Sequence, residues 1–230
     1  RGGRSRVADL RHPEPAATEQ TLARVEMLLN RYGVVSREAV AAEAIPGGFG
    51  PLYQVLRQME ANRRVRRGYF VEGLSGAQFA RPGVVDRLRA DRPQEPPAGG
   101  YTAEDAVFLA AVDPANPLGA LLPWPAVPPQ APPPRRVAGA WVVLVAGRPV
   151  LYLGPEGRQL VTFAAAAHAA DGRLEAALAA LPRLPRGQRR RHWVIEKIDG
   201  QSAAESPLRE RLLAAGFERD YRGLSPRTVP

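Results

Sequence analysis

The chain lacks cysteine altogether, and it has only one lysine, three histidines and three tryptophans among its 230 residues. Without cysteine it has no disulfide, no thiolate metal ligand and no cysteine nucleophile. No apolar run reaches the roughly 18 residues that a membrane span requires. The histidines, His12, His168 and His192, are too far apart in the sequence to predict a metal site. We therefore expect a cytoplasmic protein with no metal or cofactor of its own.

Arginine dominates what is present. It supplies 31 of the 32 basic side chains, the formal net charge is +9, and the pI is near 10.8. A charge of this sign favours a polyanionic partner, either nucleic acid or an acidic membrane surface. Because a guanidinium group stays charged and can bind two phosphate oxygens at once, we expect nucleic acid and no membrane partner.

Three helical patterns open the chain. Apolar residues at near-helical spacing predict a first helix over residues 18–29. Ser36 is a good N-cap for a short second helix. After Pro46-Gly47-Gly48, a third apolar stripe predicts a helix over residues 50–62. This third helix is the candidate recognition helix.

A basic hairpin is predicted directly after the third helix. Residues 65–71 and 78–80 have β-type composition, and the glycines of residues 73–76 supply a turn between them. Three helices followed by such a hairpin predict a winged-helix domain over residues 1–91. The hairpin would be its wing.

The wing and its surroundings carry the predicted nucleic-acid contacts. Arginines displayed on a rigid hairpin hold phosphates without selecting a sequence. A second candidate is the basic loop of residues 186–191. The alternatives are that the arginines form a solvated edge that discourages strand aggregation, and that the amide of Gln78 satisfies a strand edge instead of contacting a base. The predicted contacts are Arg57, Arg63, Arg64, Arg66, Arg67, Gln78, Arg189, Arg190 and Arg191.

The remaining chain predicts a connector and a second domain. Residues 92–134 hold 12 of the 24 prolines, so we expect residues 92–136 to be a Pro-rich connector with one short helix, over 102–112. Residues 137–230 predict a strand meander with crossing helices, which suggests a small antiparallel β-barrel-like domain. The predicted fold class is therefore α+β, a winged helix followed by this domain.

Three motifs, in this order, are specific enough to indicate a family. They are Arg66-Arg-Gly-Tyr-Phe-Val-Glu-Gly-Leu with Gly76-Ala-Gln-Phe-Ala, then Asp113-Pro-Ala-Asn-Pro with Leu122-Pro-Trp-Pro, and finally Ile195-Glu-Lys-Ile-Asp-Gly-Gln. With them the chain resembles the C-terminal region of Lhr, the bacterial long helicase-related proteins among the superfamily-2 DNA helicases. More distantly, the architecture is similar to that of AlkZ-type DNA glycosylases.

The resemblance implies a role in DNA repair. It implies an ATP-dependent helicase core outside this sequence, where ATP and Mg²⁺ would bind, and further winged helices preceding this one. The sequence itself has no phosphate loop. Uracil-DNA glycosylase activity is attributed to some family members. One departure concerns Gly3-Arg4-Ser5, where relatives tend to have a tryptophan after the arginine.

Glycosylase chemistry requires a carboxylate, or a water that it activates, at the anomeric carbon and a pocket for the extruded base. Asp113 is the candidate catalytic acid, with Asn116 near enough in sequence to bind a base edge and Trp124 available for stacking. The alternative is that Asp-Pro and Asn-Pro form ordinary turns. Glu196 and Asp199 flank Lys197, and a surface ion pair is favoured there over acid–base work.

Three functions remain open from the sequence. The first is a module that binds DNA, as single strand, duplex or RNA–DNA hybrid, for an upstream motor. The second is a glycosylase acting on uracil or a damaged base. The third is self-association through the apolar, proline-rich residues 117–129, including Trp124. Salt-dependent binding, release of uracil and light scattering would separate them.

Overall fold

A computed structural model describes residues 17–91, 97–167, 171–185 and 193–227. The chain divides into two compact units, Arg1–Asp91 and Arg92–Pro230. Within the described ranges, none of the helices combines the length and the hydrophobicity needed to cross a bilayer.

The first unit is a winged helix, as the sequence predicts. Its three short strands form an antiparallel sheet in the order β1-β3-β2, and the helices pack on that sheet. The helices are α1 (Ala17–Tyr32), α2 (Arg37–Ala42), α3 (Phe49–Ala61) and α4 (Pro82–Ala90), and the strands are β1 (Val34–Val35), β2 (Arg66–Gly68) and β3 (Gln78–Ala80).

Local signals account for these helices. The apolar stripes of α1 and α3 are buried against each other and against Phe79 of the sheet, which is fully buried. The predicted N-cap is confirmed, because the Ser36 hydroxyl oxygen accepts a hydrogen bond from the Ala39 amide at 3.2 Å. A capped α2 fixes the chain between the two longer helices. The buried stripes are Val25, Leu28 and Leu29 in α1, and Leu52, Leu56 and Met59 in α3.

The second unit is built on one six-stranded sheet. Its strands follow the order β4-β5-β6-β7-β8-β9, and each neighbouring pair is antiparallel except β7 and β8, which are parallel. The strands are β4 (Ala106–Ala110), β5 (Trp141–Val145), β6 (Arg148–Leu153), β7 (Gln159–Thr162), β8 (Lys197–Ile198) and β9 (Gln201–Ser202).

Three helices and a separate hairpin complete the second unit. An isolated bridge connects Leu224 of the hairpin to Ile195, two residues before strand β8. Both faces of the sheet are covered. Leu151 and Leu153 belong to the core that includes the helix Arg173–Ala180, whereas Tyr152 between them belongs to a smaller cluster. The elements are α5 (Ala164–Ala167), α6 (Arg173–Ala180), α7 (Arg209–Ala214), β10 (Phe217–Asp220) and β11 (Gly223–Pro226).

One sequence prediction for this unit is wrong. The predicted helix over residues 102–112 is a short 3₁₀ turn, Ala103–Asp105, followed by strand β4, which pairs with β5 along its whole length. The barrel-like arrangement is supported only loosely, because in the described residues the end strands β4 and β9 do not pair and the sheet is open. The α+β class and the winged helix are confirmed.

Candidate nucleic-acid interface

The wing is a two-stranded ribbon with a nine-residue loop. In the ribbon, Arg66, Arg67 and Gly68 stand opposite Ala80, Phe79 and Gln78. The loop, residues 69–77, connects β2 to β3, and β2 is the edge strand of the sheet. The wing therefore presents one strand and one loop to solvent.

Gln78 holds this loop from beneath. Its side chain is fully buried, and its carbonyl oxygen accepts hydrogen bonds from the amides of Phe70 and Val71, at 2.9 and 2.8 Å. Its amide nitrogen donates to the carbonyls of Val71 and Leu74, at 2.9 and 3.3 Å. The prediction that Gln78 contacts nucleic acid is therefore wrong, because its amide is buried and bonded to the wing's own backbone.

A second contact fixes the far end of the loop. One carboxylate oxygen of Glu38, in α2, accepts from both the amide and the hydroxyl of Ser75, at 3.0 and 2.7 Å. Burial raises the pKa of Glu38, but the hydrogen bonds with Ser75, together with those from the Glu38 backbone amide and the Ser36 side chain, outweigh it and lower the pKa from 4.5 to about 2. Glu38 is therefore ionised at neutral pH and ties the loop to the helical base.

The four wing arginines divide into two kinds. Arg64 donates to Glu26 of α1 at 2.8 Å, and Arg67 forms a longer pair of 3.5 Å with Glu60 of α3. The side chains of Arg63 and Arg66 are exposed and make no ion pair or hydrogen bond with the described residues. Two of the four wing arginines are thus partly neutralised by neighbouring carboxylates.

Arg57 adds a third free cation. It lies on the exposed side of α3, where Gln54 and Gln58 are also exposed, and within the described residues its guanidinium has no partner. Arg63 follows this helix in a left-handed conformation, φ 58°, which ends the helix and starts the turn into β2. Arg57, Arg63 and Arg66 therefore lie on α3, on the turn after it and on the wing strand.

Glu26 is a residue that the sequence analysis missed. It pairs with Arg64 before β2 and also with Arg81 immediately after β3, so one carboxylate holds both ends of the wing. These partners are 38 and 55 positions away in the chain. Since α1 shows an ordinary amphipathic pattern, no local signal identifies Glu26.

The basic loop with Arg189, Arg190 and Arg191 lies outside the described residues. Its predicted contact with nucleic acid stays a prediction.

The Asp113 loop of the second unit adopts the turn that the alternative interpretation expected. One Asp113 carboxylate oxygen accepts from the Ala115 amide at 2.8 Å. Asn116 is buried, donates to the Ala111 carbonyl and accepts from the Leu118 amide, so it does not face a ligand. Trp124 packs against Tyr152 and Phe163 and does not form an exposed apolar surface. The predicted roles of Asn116 in base binding and of Trp124 in stacking or self-association lose their basis.

Arg136 is a second residue that the sequence analysis missed. Its guanidinium donates to the Asn116 carbonyl at 2.6 Å and to the Asp113 carbonyl at 3.0 Å, with longer contacts of 3.4 and 3.5 Å to the carbonyls of Val112 and Leu118. One arginine therefore holds the loop that carries Asp113. Its charge lies against backbone oxygens.

The acids beside Lys197 do not pair with it. Glu196 pairs with Arg222 at 2.5 Å and, more distantly, with Arg158. Asp199 accepts from the amide and the hydroxyl of Thr162, at 2.7 and 2.9 Å. Burial raises the pKa of Asp199 despite these hydrogen bonds. Glu196 therefore forms ion pairs, as expected, but with arginines instead of Lys197. Asp199 joins strand β7 to the β8–β9 turn.

Comparison with known proteins supports the assignment of the first unit. The family described as "Large helicase-related protein, winged-helix domain" matches residues 14–99. A protein of Mycolicibacterium smegmatis named "Lhr helicase/ probable uracil glycosylase" is 43% identical over 219 residues, which cover 92% of this chain. The resemblance to the Lhr proteins is confirmed. An Escherichia coli protein named "Lhr helicase/uracil glycosylase" is 41% identical over 208 residues, or 90% of the chain.

The match to these Lhr relatives includes both units. It is nevertheless a small part of each relative, because the chain spans 14% of the Mycolicibacterium protein and 13% of the Escherichia protein.

Proposed function

We propose that this chain is a nucleic-acid-binding module of an Lhr-type ATP-dependent DNA helicase that takes part in DNA repair. Its winged helix binds the sugar-phosphate backbone through Arg57, Arg63 and Arg66. ATP and Mg²⁺ would act in a helicase core, since the 230 residues contain no phosphate loop.

The division of the wing arginines is the observation that carries this proposal. Arg63 and Arg66 are exposed and have no acidic partner among the residues that the structure describes, and they lie next to a loop that Gln78 and Glu38 hold in place. Unpaired guanidinium groups on a fixed scaffold can bind phosphates without first breaking an ion pair and without ordering a loop. Arg64 and Arg67, which start from ion pairs, contribute less.

Salt-dependent binding tests this division. Each of Arg57→Gln, Arg63→Gln and Arg66→Gln should lower the slope of log affinity against log salt by about 0.9 for duplex DNA or about 0.7 for a single strand. Arg64→Gln is the matched control, because Arg64 is held by Glu26, and its slope should stay close to that of the unchanged chain. Fluorescence anisotropy with a labelled oligonucleotide measures both.

Two outcomes would contradict this proposal. If the slope is the same for the unchanged chain and for the Arg63→Gln and Arg66→Gln variants, the wing is not the phosphate-binding surface. An equal loss from Arg64→Gln would contradict the distinction between free and paired arginines.

A second candidate function is removal of uracil from DNA. It is favoured by the relatives, whose names include uracil glycosylase and whose match covers both units of this chain. Incubation with a uracil-containing single strand, followed by alkaline cleavage of abasic sites, measures it. Asp113→Asn tests the proposed acid. Loss of cleavage with an unchanged fold supports a catalytic role for Asp113, whereas retained cleavage would show that its carboxylate only stabilises the turn.

A further inference from the structure

Tyr69 is the most exposed large hydrophobic side chain of the wing. Its exposed fraction is 86%, and in the described residues Tyr221 of the second unit is the other large apolar side chain that is exposed to a comparable degree, at 93%. Burying an aromatic ring would normally stabilise a fold. A ring left almost wholly in water on a fixed backbone is nevertheless available to a ligand without rearrangement.

The backbone on both sides of Tyr69 is fixed. The next two amides, those of Phe70 and Val71, donate to the buried Gln78 side chain. Before it, Gly68 is paired with Gln78 in the sheet, and the Phe70 ring folds back over this glycine, where a Cβ would lie 2.9 Å from Phe70 Cζ. The exposure of Tyr69 is thus a property of an ordered turn, and the neighbouring aromatic residue takes the inward position.

The charge beside this ring suits a nucleic acid. Arg66, at the start of β2, is three residues before Tyr69 in the chain and has no acidic partner among the described residues. Glu72 is the one acid of residues 69–77, and it is exposed on the other side of Tyr69 in the chain. Phosphates would therefore lie toward Arg66. An exposed aromatic ring and an unpaired guanidinium on the same wing are a combination that binds single strands, because every unpaired base has a face available for stacking.

We infer that Tyr69 is a base-stacking residue of the wing and that the ligand is single-stranded nucleic acid. An unpaired base lies on the tyrosine ring while the adjoining phosphate contacts Arg66. This inference rests on the proposed function, since it assumes that the wing binds a nucleic-acid backbone, and it adds the strand class that the wing selects.

Abasic DNA separates stacking from charge. The full 230-residue chain and its Tyr69→Ala and Tyr69→Phe variants are titrated with one single-stranded oligonucleotide and with a strand of the same length in which every base is removed. Stacking on one base is worth about tenfold in affinity. Tyr69→Ala should lose about tenfold on the normal strand and nothing on the abasic strand, whereas Tyr69→Phe should bind like the unchanged chain. The salt slope should be the same for all three.

A fluorescent variant gives a second measurement. All three tryptophans, Trp124, Trp141 and Trp193, lie in the second unit, so Tyr69→Trp places a single reporter in the first. Its emission should be quenched by the normal strand and not by the abasic one.

The outcomes distinguish this inference from the proposed function. If Tyr69→Ala weakens both strands equally, or neither, the stacking role is overturned while the arginine effects on the salt slope can still stand. If the unchanged chain binds neither strand, both the proposed function and this inference fail.

Discussion

Two loops of this protein are each held by one buried or half-buried polar side chain that lies outside the loop. Gln78 holds the wing loop of residues 69–77, and Arg136 holds the loop of residues 113–122. Both side chains bind backbone groups, and neither is recognisable from its local sequence. The loops differ in which side chains remain exposed once their backbone amides and carbonyls are hydrogen-bonded.

The wing loop leaves side chains free for a partner. A neutral amide satisfies its backbone, so Arg66 and the ring of Tyr69 stay exposed and available. In the loop of residues 113–122 the guanidinium of Arg136 itself binds the carbonyls. The buried side chain of Asn116 is hydrogen-bonded to the backbone of Ala111 and Leu118. An arginine-rich sequence therefore does not by itself indicate a binding surface. What matters is whether the guanidinium already has a partner in the fold.

Gln78→Ala should have the largest effect. It removes four hydrogen bonds from a fully buried site and leaves the amides of Phe70 and Val71 without their acceptor. We expect a loss of about 3 kcal/mol in the free energy of unfolding. Urea denaturation followed by circular dichroism measures the loss, and hydrogen exchange at the amides of residues 70 and 71 should accelerate.

Gln58→Ala is the matched control for this experiment. It removes the same amide from the exposed side of α3, and we expect a change below about 0.5 kcal/mol. Equal effects of the two substitutions would show that the wing loop does not depend on Gln78.

Arg136→Met should come second. The methionine keeps much of the aliphatic chain but removes the Arg136 donor from the Asn116 carbonyl and one of the two donors from the Asp113 carbonyl. Because these carbonyls are partly buried, we expect a loss of about 2 kcal/mol. Tryptophan fluorescence during urea denaturation reports it, since all three tryptophans lie in the same unit as Arg136.

The matched control here is Arg148→Met, on an exposed arginine of the same unit. If both variants unfold at the same urea concentration as the unchanged chain, the carbonyl contacts of Arg136 contribute no measurable stability.

The sequence predicts the winged helix well because each of its elements carries a local signal. The Ser36 cap, the apolar stripes of α1 and α3, and the glycine-containing turn of the wing all lie within a few residues of the structure that they determine. The second unit is predicted less well. Ala106, Leu109 and Ala110 fit a helical spacing, and pairing with β5, about thirty residues later, decides that this segment is a strand.

The candidate site, too, is predicted only where the signal is local. The cationic composition of the wing is visible in the sequence, but the pairing of Arg64 with Glu26 joins residues 38 positions apart. The Glu38 contact to Ser75 spans 37 positions. Such contacts depend on how the helices pack, so the sequence cannot tell which arginines are free.

Ser75→Ala should have a smaller effect that depends on pH. The wild-type loop gains its stability from ionised Glu38, whose pKa is lowered to about 2 in the fold from 4.5. A lowered pKa stabilises the fold above pH 4.5, and the benefit disappears as the pH falls through that range toward 2. At pH 7 we expect Ser75→Ala to cost about 1 kcal/mol.

The difference in melting temperature between the unchanged chain and Ser75→Ala, measured from pH 7 down to pH 3, tests this linkage. It should shrink as the pH is lowered. Glu38→Gln is the companion variant, because its own stability should vary less between these pH values. A difference that stays constant would show that the Glu38 charge does not strengthen the contact.

Glu60→Gln should change stability least, yet it tests the comparison between free and paired arginines most directly. The Arg67–Glu60 pair is half-exposed and 3.5 Å long, so we expect its loss to cost about 0.3 kcal/mol. Removing the carboxylate charge releases Arg67 beside Arg66, on the edge strand of the wing. The log–log salt slope for single-stranded DNA should then rise by up to about 0.7, the contribution of one further phosphate contact. An unchanged slope would mean that Arg67 faces away from the bound strand, and the interface would then be limited to the arginines that the fold already leaves unpaired.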